Sequence, residues 1–464
     1  MKDTQNNIKK VFISLLLIAI LASVPAASAT PAPDTEWEKT YAAFWSGGGY
    51  DEANSIDETR DGGYIIAGST WSTKEKAKAV YLVKIKKDGE MAWERRLGGS
   101  GDDLARSILA TKDGGYIVAG STWSTRTMED AYVIKTDWNG NKLWERVMGG
   151  ENIDRASAVD MTSDGGYIIA GSTWSYGTNG LNPYIVRLDR DGVKRWEKLI
   201  EGFISEAFDV HETGDGNFII AGYTRTGVFG YDPEDAYLIK IDGLGKVIWS
   251  REYGGSADDR AYSVDMTSDG GYILAGWTES HGAGKKDIYV IKTDADGEKE
   301  WEKFYGGAYH DEARSIVQTS DGGYIITGFT SEGDDEISED LIVLKLNSDG
   351  EKEWEKRYGG MREEIGCEVI ETSDHSYIVA GYTHSYGEGW NDCYVIKLEP
   401  ESRPSPAATS TTAIVPAEDK ESETPTATED PLKAEPAGFG ATAAITGIGI
   451  VLLLEGYRRR LEGR

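Results

Sequence analysis

The sequence has few of the residues on which most enzyme and metal sites depend. It contains 2 cysteines and 5 histidines in 464 residues. The histidines are scattered without the spacing of metal ligands; they are His211, His281, His310, His375 and His384. No Gly-x-Ser-x-Gly, His-Glu-x-x-His or phosphate-binding loop occurs. These absences count against hydrolase, metalloprotease and nucleotide-binding functions, and the sequence predicts no catalytic residue.

The two cysteines are not expected to form a disulfide. Cys367 and Cys393 fall on predicted strands that are two apart in one sheet. Such strands lie roughly 9–10 Å from each other, whereas a disulfide needs Cα atoms within roughly 7 Å. We therefore expect two free thiols, and the cysteines say little about the cellular compartment.

Net positive charge is also lacking. The formal charge is −30, and because residues 1–30 and 441–464 each carry +2, the part between them holds −34. So acidic a surface repels phosphate backbones, which excludes nucleic acid as an expected partner. Cations and neutral ligands such as glycans remain compatible with it, and solubility alone is the simplest explanation of the charge.

The N-terminus has the three parts of a secretory signal peptide. Lys9 and Lys10 precede an apolar run over residues 11–24, and small residues follow it up to Ala29. The run is shorter than a membrane span requires. We expect a signal peptide over residues 1–29 and a short leader over 30–36, with an uncleaved anchor as the alternative.

The composition changes abruptly after Leu398. Residues 399–437 are rich in Pro, Thr, Ser, Ala and Glu, which indicates an extended stalk with too little apolar surface for a core. An apolar segment and a basic cluster, residues 458–460, follow. Because positive charge stays on the inner side of a membrane, the stalk is expected outside. Residues 438–464 are therefore predicted to be a transmembrane or sorting segment with an anchor helix.

This tail resembles the PGF-type C-terminal signal of archaeal cell-surface proteins. The matching residues are Pro436, Gly438 and Phe439, with Ala437 inserted where that family has Pro-Gly-Phe. The resemblance implies that an archaeosortase cuts the tail and that a membrane lipid replaces it. It also implies a location on the extracellular face of an archaeal cell membrane, anchored at the C-terminus.

A block typified by Thr162 to Gly171, Thr-Ser-Asp-Gly-Gly-Tyr-Ile-Ile-Ala-Gly, recurs through the middle of the chain. The aromatic residue after its turn recurs every 51 to 54 residues, and a Trp-Glu or Trp-Ser pair precedes it at a steady spacing, so the repeat is one structural unit. The seven aromatic residues are Tyr64, Tyr116, Tyr167, Phe218, Tyr272, Tyr324 and Tyr377. The tryptophans of the seven pairs are Trp37, Trp93, Trp144, Trp196, Trp249, Trp301 and Trp354.

Each repeat is predicted to form four short strands separated by Gly-rich turns. In the sixth repeat, strand A is expected at Ala313–Thr319, B at Tyr324–Gly328 and C at Leu341–Leu346, and the Trp-Glu segments form the D strands. Four antiparallel strands cannot bury both faces alone, but seven such sheets packed around an axis can. We predict an all-β, seven-bladed β-propeller of four-stranded antiparallel blades over residues 37–398. A right-handed β-solenoid is the alternative, although its coils are shorter than about 52 residues.

The phase of the repeats predicts how the ring closes. The first recognisable strand, at Trp37, is a D strand, and the last repeat ends with a C strand before Leu398. The N-terminal strand is therefore expected to complete the last blade, which ties the two ends together and removes the open sheet edges.

Two patterns resemble motifs of known propeller families. The Asp-x-x-Gly-x-x-x-Trp pattern at residues 137–144 and 294–301 resembles the tryptophan-docking motif of quinoprotein-like blades, which implies an architectural role and no cofactor. Thr162, Asp164 and Gly166 resemble the Asp box of sialidase-like propellers, but Ile169 stands where that box has an aromatic residue.

One face of the predicted propeller is expected to carry the function. The B–C loops and D–A connections share this face, and the B–C loops differ in every blade, whereas the A–B and C–D turns are nearly uniform. Tryptophans near these loops are candidates for stacking on a sugar or an aliphatic side chain, with packing between blades as the alternative. The candidates are Trp71, Trp123, Trp174, Trp277 and Trp390. The first three are expected to lie nearest the loops.

Carboxylates recur two residues before strand A opens. They are Asp51, Asp103, Asp154, Asp259, Asp311 and Glu364, with Ser205 at the seventh position. A ring of such oxygens would suit calcium. The alternative is that each carboxylate accepts backbone N–H bonds within its own connection.

The sequence thus predicts a monomeric, non-catalytic binding or adhesion module displayed on a stalk. The expected ligand is a surface glycan or a protein, and no cofactor other than calcium is expected. An extracellular glycan-active enzyme that uses the channel mouth and a structural envelope component are the alternatives.

Overall fold

The computed structural model describes residues 31–401 except 44–48, 73–75, 124–127, 177–179, 201–203, 226–232, 334–337 and 388–389. The expected signal peptide, nearly all of the stalk, the motif Pro436, Gly438 and Phe439 and the segment 438–464 lie outside these residues. In the described part of the chain, no helix is long and apolar enough to cross a bilayer.

The described chain forms 28 strands in seven antiparallel sheets of four, which confirms the predicted seven-bladed propeller. The strands of the first six blades follow one another as A, B, C and D. Blade 1 contains β2 (Asp51–Glu58), β3 (Tyr64–Ser72), β4 (Ala77–Ile85) and β5 (Met91–Leu97). Blade 2 contains β6 (Asp103–Ala110), β7 (Tyr116–Thr122), β8 (Asp130–Thr136) and β9 (Lys142–Met148). Blade 3 contains β10 (Asp154–Met161), β11 (Tyr167–Thr173), β12 (Asn182–Leu188) and β13 (Lys194–Leu199).

The remaining blades repeat this order. Blade 4 contains β14 (Ile204–Glu212), β15 (Phe218–Arg225), β16 (Asp235–Ile241) and β17 (Val247–Tyr253). Blade 5 contains β18 (Asp259–Met266), β19 (Tyr272–Thr278), β20 (Asp287–Thr293) and β21 (Lys299–Tyr305). Blade 6 contains β22 (Asp311–Gln318), β23 (Tyr324–Ser331), β24 (Glu339–Leu346) and β25 (Lys352–Tyr358). Blade 7 contains β26 (Glu364–Glu371), β27 (Tyr377–Thr383), β28 (Asp392–Leu398) and the N-terminal β1 (Thr35–Tyr41).

The N-terminal strand closes the ring as predicted. β1 pairs antiparallel with β28, with Trp37 opposite Lys397 and Tyr41 opposite Cys393. Side chains reinforce the pairing, since Lys397 Nζ donates to Glu36 Oε2 at 2.8 Å. β1 begins two residues before Trp37, so part of the expected leader belongs to the last blade.

The hydrophobic core lies between the blades. The B and C strands are buried along nearly their whole length, whereas the D strands alternate between partly buried and exposed residues. Each hydrophobic cluster combines two adjacent blades; one joins Ile65 and Leu82 of blade 1 to Ile108 and Ile134 of blade 2. Since a buried Ile or Leu side chain contributes about 1.5–3 kcal/mol, the blades are stabilised mainly by their neighbours.

The Trp-Glu marker also joins adjacent blades. A Cβ atom placed on Gly140, in the C–D turn of blade 2, would lie 2.8 Å from the ring of Trp93 in blade 1. Gly192 meets Trp144 in the same way. Glycine is therefore needed in this turn for two reasons. The indole of the preceding blade lies too close for a Cβ atom, and the backbone of Gly140 has a positive φ of 75°.

The innermost strands are linked through side chains rather than a backbone ladder. Every A strand carries a bulge near its start, as between Ala53 and Ser55. The hydroxyl of Ser55 accepts the N–H of Ile108 in the next blade at 2.9 Å. In blade 7 the same position is Glu368, whose Oε2 accepts the N–H of Ile56 at 2.6 Å.

Blade 4 departs from the repeat at one buried hydroxyl. In blade 1, for example, the C-strand tyrosine donates to a D-strand glutamate, Tyr81 to Glu94 at 2.7 Å. Blade 4 has Ser250 at the glutamate position, and the buried Tyr237 hydroxyl has no hydrogen-bond partner among the described residues. An unsatisfied buried hydroxyl costs about 1–3 kcal/mol.

We therefore expect Tyr237→Phe to raise the free energy of unfolding by about 1 kcal/mol, because it removes a polar group that nothing satisfies. The matched control is Tyr289→Phe, which loses the 2.6 Å bond from Tyr289 to Glu302 and should destabilise by a similar amount. Urea unfolding of both variants measures the difference. A Tyr237→Phe midpoint as low as that of the control would contradict the expectation.

Candidate functional site

Backbone hydrogen bonds bring the B–C loops and the D–A connections to one face of the propeller. The N–H of Trp71 donates to Tyr50 O at 2.9 Å, and that of Trp123 donates to Asp102 O at 2.7 Å. Trp174 makes the same bond, to Ile153 O at 2.8 Å. These three tryptophans therefore occupy equivalent positions at the loop ends of their blades, and we call this side the loop face.

Four of the five predicted tryptophans follow one another around the loop face. Trp390, Trp123 and Trp174 are 62%, 46% and 51% exposed, and Trp71 is half-buried. They belong to blades 7, 2, 3 and 1, which are consecutive around the closed ring. We call Trp390, Trp71, Trp123 and Trp174 the tryptophan arc.

Trp277, the fifth candidate, is buried, which favours the alternative of packing within the propeller at this position. Its side chain is only 3% exposed. Lys286 Nζ lies 4.0 Å from the ring centroid, the Arg260 guanidinium lies 5.4 Å from it, and the indole N–H donates to the Tyr262 hydroxyl at 3.1 Å. Trp277 stands two positions earlier in its B strand than Trp71 does, and its side chain is covered by charged groups of the chain itself.

A cavity of about 440 Å³ opens between the last and the first blade. We call it the seam cavity, because it lies where the N-terminal and C-terminal parts of the propeller meet. Blades 7 and 1 each supply four residues. The lining residues are Tyr50, Glu52, Trp71, Lys78, Glu363, Tyr382, His384 and Asn391.

Aromatic rings and backbone bonds build the rim of this cavity. Tyr50 stacks on Trp390 of the arc, with ring centroids 6.3 Å apart and planes inclined by 20°. The backbone N–H of Asp51 donates to Asn391 O at 2.9 Å, which fixes the blade 7 loop against the connection that enters blade 1. The cavity therefore continues directly into one end of the tryptophan arc.

The charged groups of the cavity are engaged in hydrogen bonds. Glu52 Oε2 accepts from the Ser69 hydroxyl at 3.0 Å and lies 3.4 Å from Lys78 Nζ. Glu363 accepts from the Tyr382 hydroxyl at 3.0 Å, and His384 Nδ1 lies 3.3 Å from its other oxygen. Burial first, and then the nearby Cys367 and Glu363, raise the pKa of the Tyr382 hydroxyl, so this group stays protonated.

The sequence did not single out most of these residues. Tyr50, Glu52, Lys78, Glu363, Tyr382 and His384 were absent from the predicted site. The sequence could have indicated His384, because it occupies the same repeat position as Trp71. In the structure its N–H makes the equivalent backbone bond, to Glu363 O at 2.9 Å. The seam cavity exists only where the first and last blades meet, so no local stretch of the sequence contains it.

The six repeated carboxylates are each buried in their own D–A connection. Oδ2 of Asp154 accepts the N–H of Gly150 at 2.7 Å, and that of Asp259 accepts the N–H of Gly255 at 2.8 Å. Asp103, Asp311 and Glu364 make the same bond to the glycine four residues earlier, and Asp51 accepts from Ala43. In the described chain, no group of three or more His, Cys, Asp or Glu residues can hold a metal ion. These contacts favour the capping interpretation over a calcium ring.

The central channel has titratable groups that the sequence did not predict. Burial raises the pKa of Glu368 to about 8 and that of Asp57 to about 6. His211 lies 3.4 Å from Asp209 and 3.5 Å from Asp160. Although burial alone would lower the pKa of His211, these two carboxylates hold it well above its usual value. Cys367 and Cys393 are free thiols, as expected.

The strand order and the loop face define the chain as a β-propeller repeat protein. A family model described as a domain of unknown function (DUF5122) beta-propeller matches residues 162–194, which run from the A–B turn of blade 3 through its B and C strands to the first residue of its D strand. Over 159 residues, the chain is 24% identical to the regulatory protein FlaEY of Caulobacter vibrioides. That match covers 30% of this chain and 17% of FlaEY.

Solved structures with similar architecture have diverse descriptions. A protein of unknown function from Dyadobacter fermentans is 12% identical with a TM-score of 0.46, over 80% of this chain and 100% of that one. The polysaccharide lyase Uly1 is 10% identical with a TM-score of 0.46, over 82% and 94%. YCF48 bound to D1 peptide is 9% identical with a TM-score of 0.44, over 80% and 99%. Similarities this low carry no information on ligand or activity.

Proposed function

We propose that this protein is a non-catalytic cell-surface module that binds a glycan chain along the tryptophan arc. The observation that carries the proposal is the distribution of exposed tryptophans. Blades 7, 1, 2 and 3 each carry a tryptophan on the loop face, and only Trp71 among them is half-buried. Blades 4, 5 and 6 have no tryptophan at the position of Trp71, and their aromatic residues two positions earlier in the B strand are buried; these are Tyr223, Trp277 and Phe329. Exposed indoles on consecutive blades suit the repeated apolar faces of a sugar chain.

Charge narrows the class of glycan. The chain carries a net charge of −30, so polyanionic polysaccharides are repelled and neutral or amino-bearing chains are favoured. A binding role is also consistent with the cavity carboxylates, because Glu52 and Glu363 each have hydrogen-bonding partners. The secretion signal and the anchoring tail predicted from the sequence support display on the outer face of a cell membrane.

The test compares polysaccharide binding by the full chain and by a variant with Trp123→Ala and Trp174→Ala. Both residues lie outside the seam cavity. A neutral β-glucan, a partly deacetylated chitin and an anionic pectin serve as probes in affinity electrophoresis. We expect binding to one of the first two and not to pectin, and the double variant should bind about tenfold or more weakly, as for the loss of aromatic anchors at an interface.

Trp138→Ala is the matched control. Trp138 is 66% exposed but lies in the C–D turn of blade 2, on the face opposite the loops. Its replacement removes an indole that is more exposed than either Trp123 or Trp174, and it should leave binding unchanged. Equal affinities of the full chain, the double variant and Trp138→Ala would contradict the proposal. Release of reducing ends from a probe would favour the enzyme alternative.

A further inference from the structure

Blades 4, 5 and 6 show what the aromatic residue near the loop end of the B strand contacts. Arg260 lies 4.3 Å from the ring centroid of Tyr223 in blade 4. Lys286 lies 4.0 Å from that of Trp277 in blade 5, and Arg314 lies 5.7 Å from that of Phe329 in blade 6. The aromatic residues of blades 4, 5 and 6 thus each have a cation of the chain on their face, from the next blade for Tyr223 and from the same blade for the other two. Such a contact contributes about 0.5–2 kcal/mol.

Blade 7 has the aromatic residue without the cation. Tyr382 occupies the same B-strand position, but its A-strand neighbour is Ile365, where blade 5 has Arg260 opposite Trp277. Within the described residues, no Arg or Lys side chain is stacked on the Tyr382 ring. The seam cavity lies there instead, with Tyr382 in its wall.

The cavity has the chemistry of a cation site. Three aromatic side chains line it, Tyr50, Trp71 and Tyr382. Two carboxylates, Glu52 and Glu363, share it with one lysine, Lys78, which lies against Glu52. Glu363, beside Tyr382, has a tyrosine hydroxyl and a histidine as its partners rather than a lysine or arginine. Among the lining residues, the carboxylates therefore outnumber the lysines by one.

We propose that the seam cavity binds an organic ammonium group, which takes the place that Arg and Lys side chains fill in blades 4 to 6. This inference rests on the proposed function, since it assigns the ammonium group to an amino sugar of the bound glycan. The cavity adjoins Trp390 and includes Trp71, so a chain lying along the arc brings one of its sugar units to the cavity mouth. A volume of about 440 Å³ accommodates one such unit.

Choline tests the cavity without any glycan. It carries a quaternary ammonium group, and 3,3-dimethyl-1-butanol is its neutral isostere, so the pair separates charge from shape. We expect choline to change the intrinsic tryptophan fluorescence of the full chain with a Kd in the millimolar range, and the isostere to bind about tenfold or more weakly. Sodium chloride at equal concentration controls for ionic strength.

Two variants locate the site. Glu363→Gln keeps the shape and removes the charge, and Tyr382→Leu removes the aromatic face; each should weaken choline binding about fivefold to tenfold. Circular dichroism checks that each variant keeps the strand content of the parent. Choline and its isostere binding equally, choline failing to bind at about 0.1 M, or choline binding unchanged by both variants would each overturn the proposal.

The outcome is separable from that of the glycan test. Trp123→Ala with Trp174→Ala should leave choline binding intact, because neither residue lines the cavity. Oligomers of glucosamine and of N-acetylglucosamine then identify the source of the ammonium group. We expect the free-amine oligomers to bind more tightly and to lose that advantage in Glu363→Gln, whereas equal affinity for the two series would overturn the assignment to an amino sugar.

Discussion

Replacing Gly171 by alanine is expected to destabilise the propeller by at least about 3 kcal/mol. A Cβ atom at this position would overlap the carbonyl oxygen of Arg155 on the paired A strand. Backbone atoms cannot move aside as the end of a flexible side chain can. The bulge between Ala156 and Ala158 brings that carbonyl close, and Gly171 stands opposite Ala156. Equilibrium unfolding in urea measures the loss.

Gly214→Ala is the control for this experiment. Gly214 lies in the A–B turn of blade 4, its added Cβ would meet no atom within 4 Å, and blades 3, 5, 6 and 7 have serine there. Its replacement should change the free energy of unfolding by no more than about 0.5 kcal/mol. If Gly171→Ala unfolds at the same urea concentration as Gly214→Ala, steric overlap does not explain why a glycine ends the repeated block.

This glycine illustrates how much of the fold the sequence carries. The recurrence of the ten-residue block was enough to predict seven blades, and the phase of its tryptophans was enough to predict closure by β1. The reason for the block's last residue was not readable. Gly171 does not lie in a turn and has no positive φ. It is needed because the bulge on the preceding A strand brings a carbonyl oxygen close to its Cα, and only the register of the paired strands shows that contact.

Strand bounds were predicted less well than strand identity. In blade 6 the A strand begins at Asp311, two residues before the expected Ala313, and the B strand extends to Ser331. The expected start was placed at the first apolar residue. The structure places the capping carboxylate at the start of the strand itself, because its backbone already pairs with Thr330.

Some contacts between blades leave a pattern in the sequence that only the structure explains. The N–H and hydroxyl groups of Ser320 in the A–B turn of blade 6 bind Glu371 of blade 7. Where a blade has Lys112 in place of that serine, the next blade has Met161 in place of the glutamate, and a cavity of about 220 Å³ lies between them. The two positions change together from blade to blade, as expected for a pair in contact.

The candidate site was the least predictable part. The repeat position of Trp123 and Trp174 predicted that they lie near the loops, where both are exposed, but nothing in the sequence indicated that Lys286 and Arg260 would cover Trp277. The seam cavity combines Tyr50 and Glu52 with Glu363 and Tyr382, more than 300 residues away in the chain. No local pattern can report such a pairing, since it exists only after the ring has closed.

The second large effect on stability is expected from disrupting the closure of the ring by β1. We expect Lys39→Pro to destabilise the propeller by at least about 3 kcal/mol, because a proline in the middle of β1 removes the N–H and distorts its pairing with β28. Lys39 stands opposite Val395 in β28, every residue of which is buried. Detaching β1 therefore exposes one edge of blade 7 and breaks the link between the first and last blades.

Lys303→Pro separates closure from local strand damage. Lys303 occupies the same position of the Trp-Glu-Lys motif in β21 and stands opposite Val290, just as Lys39 stands opposite Val395. The local loss is thus matched, but the D strand of blade 5 stays covalently joined to both neighbouring strands. Lys39→Pro should unfold at a clearly lower urea concentration, with amide exchange accelerated first in β28 and β2. Equal midpoints and exchange confined to the substituted strand would mean that contacts between blades hold the ring without β1.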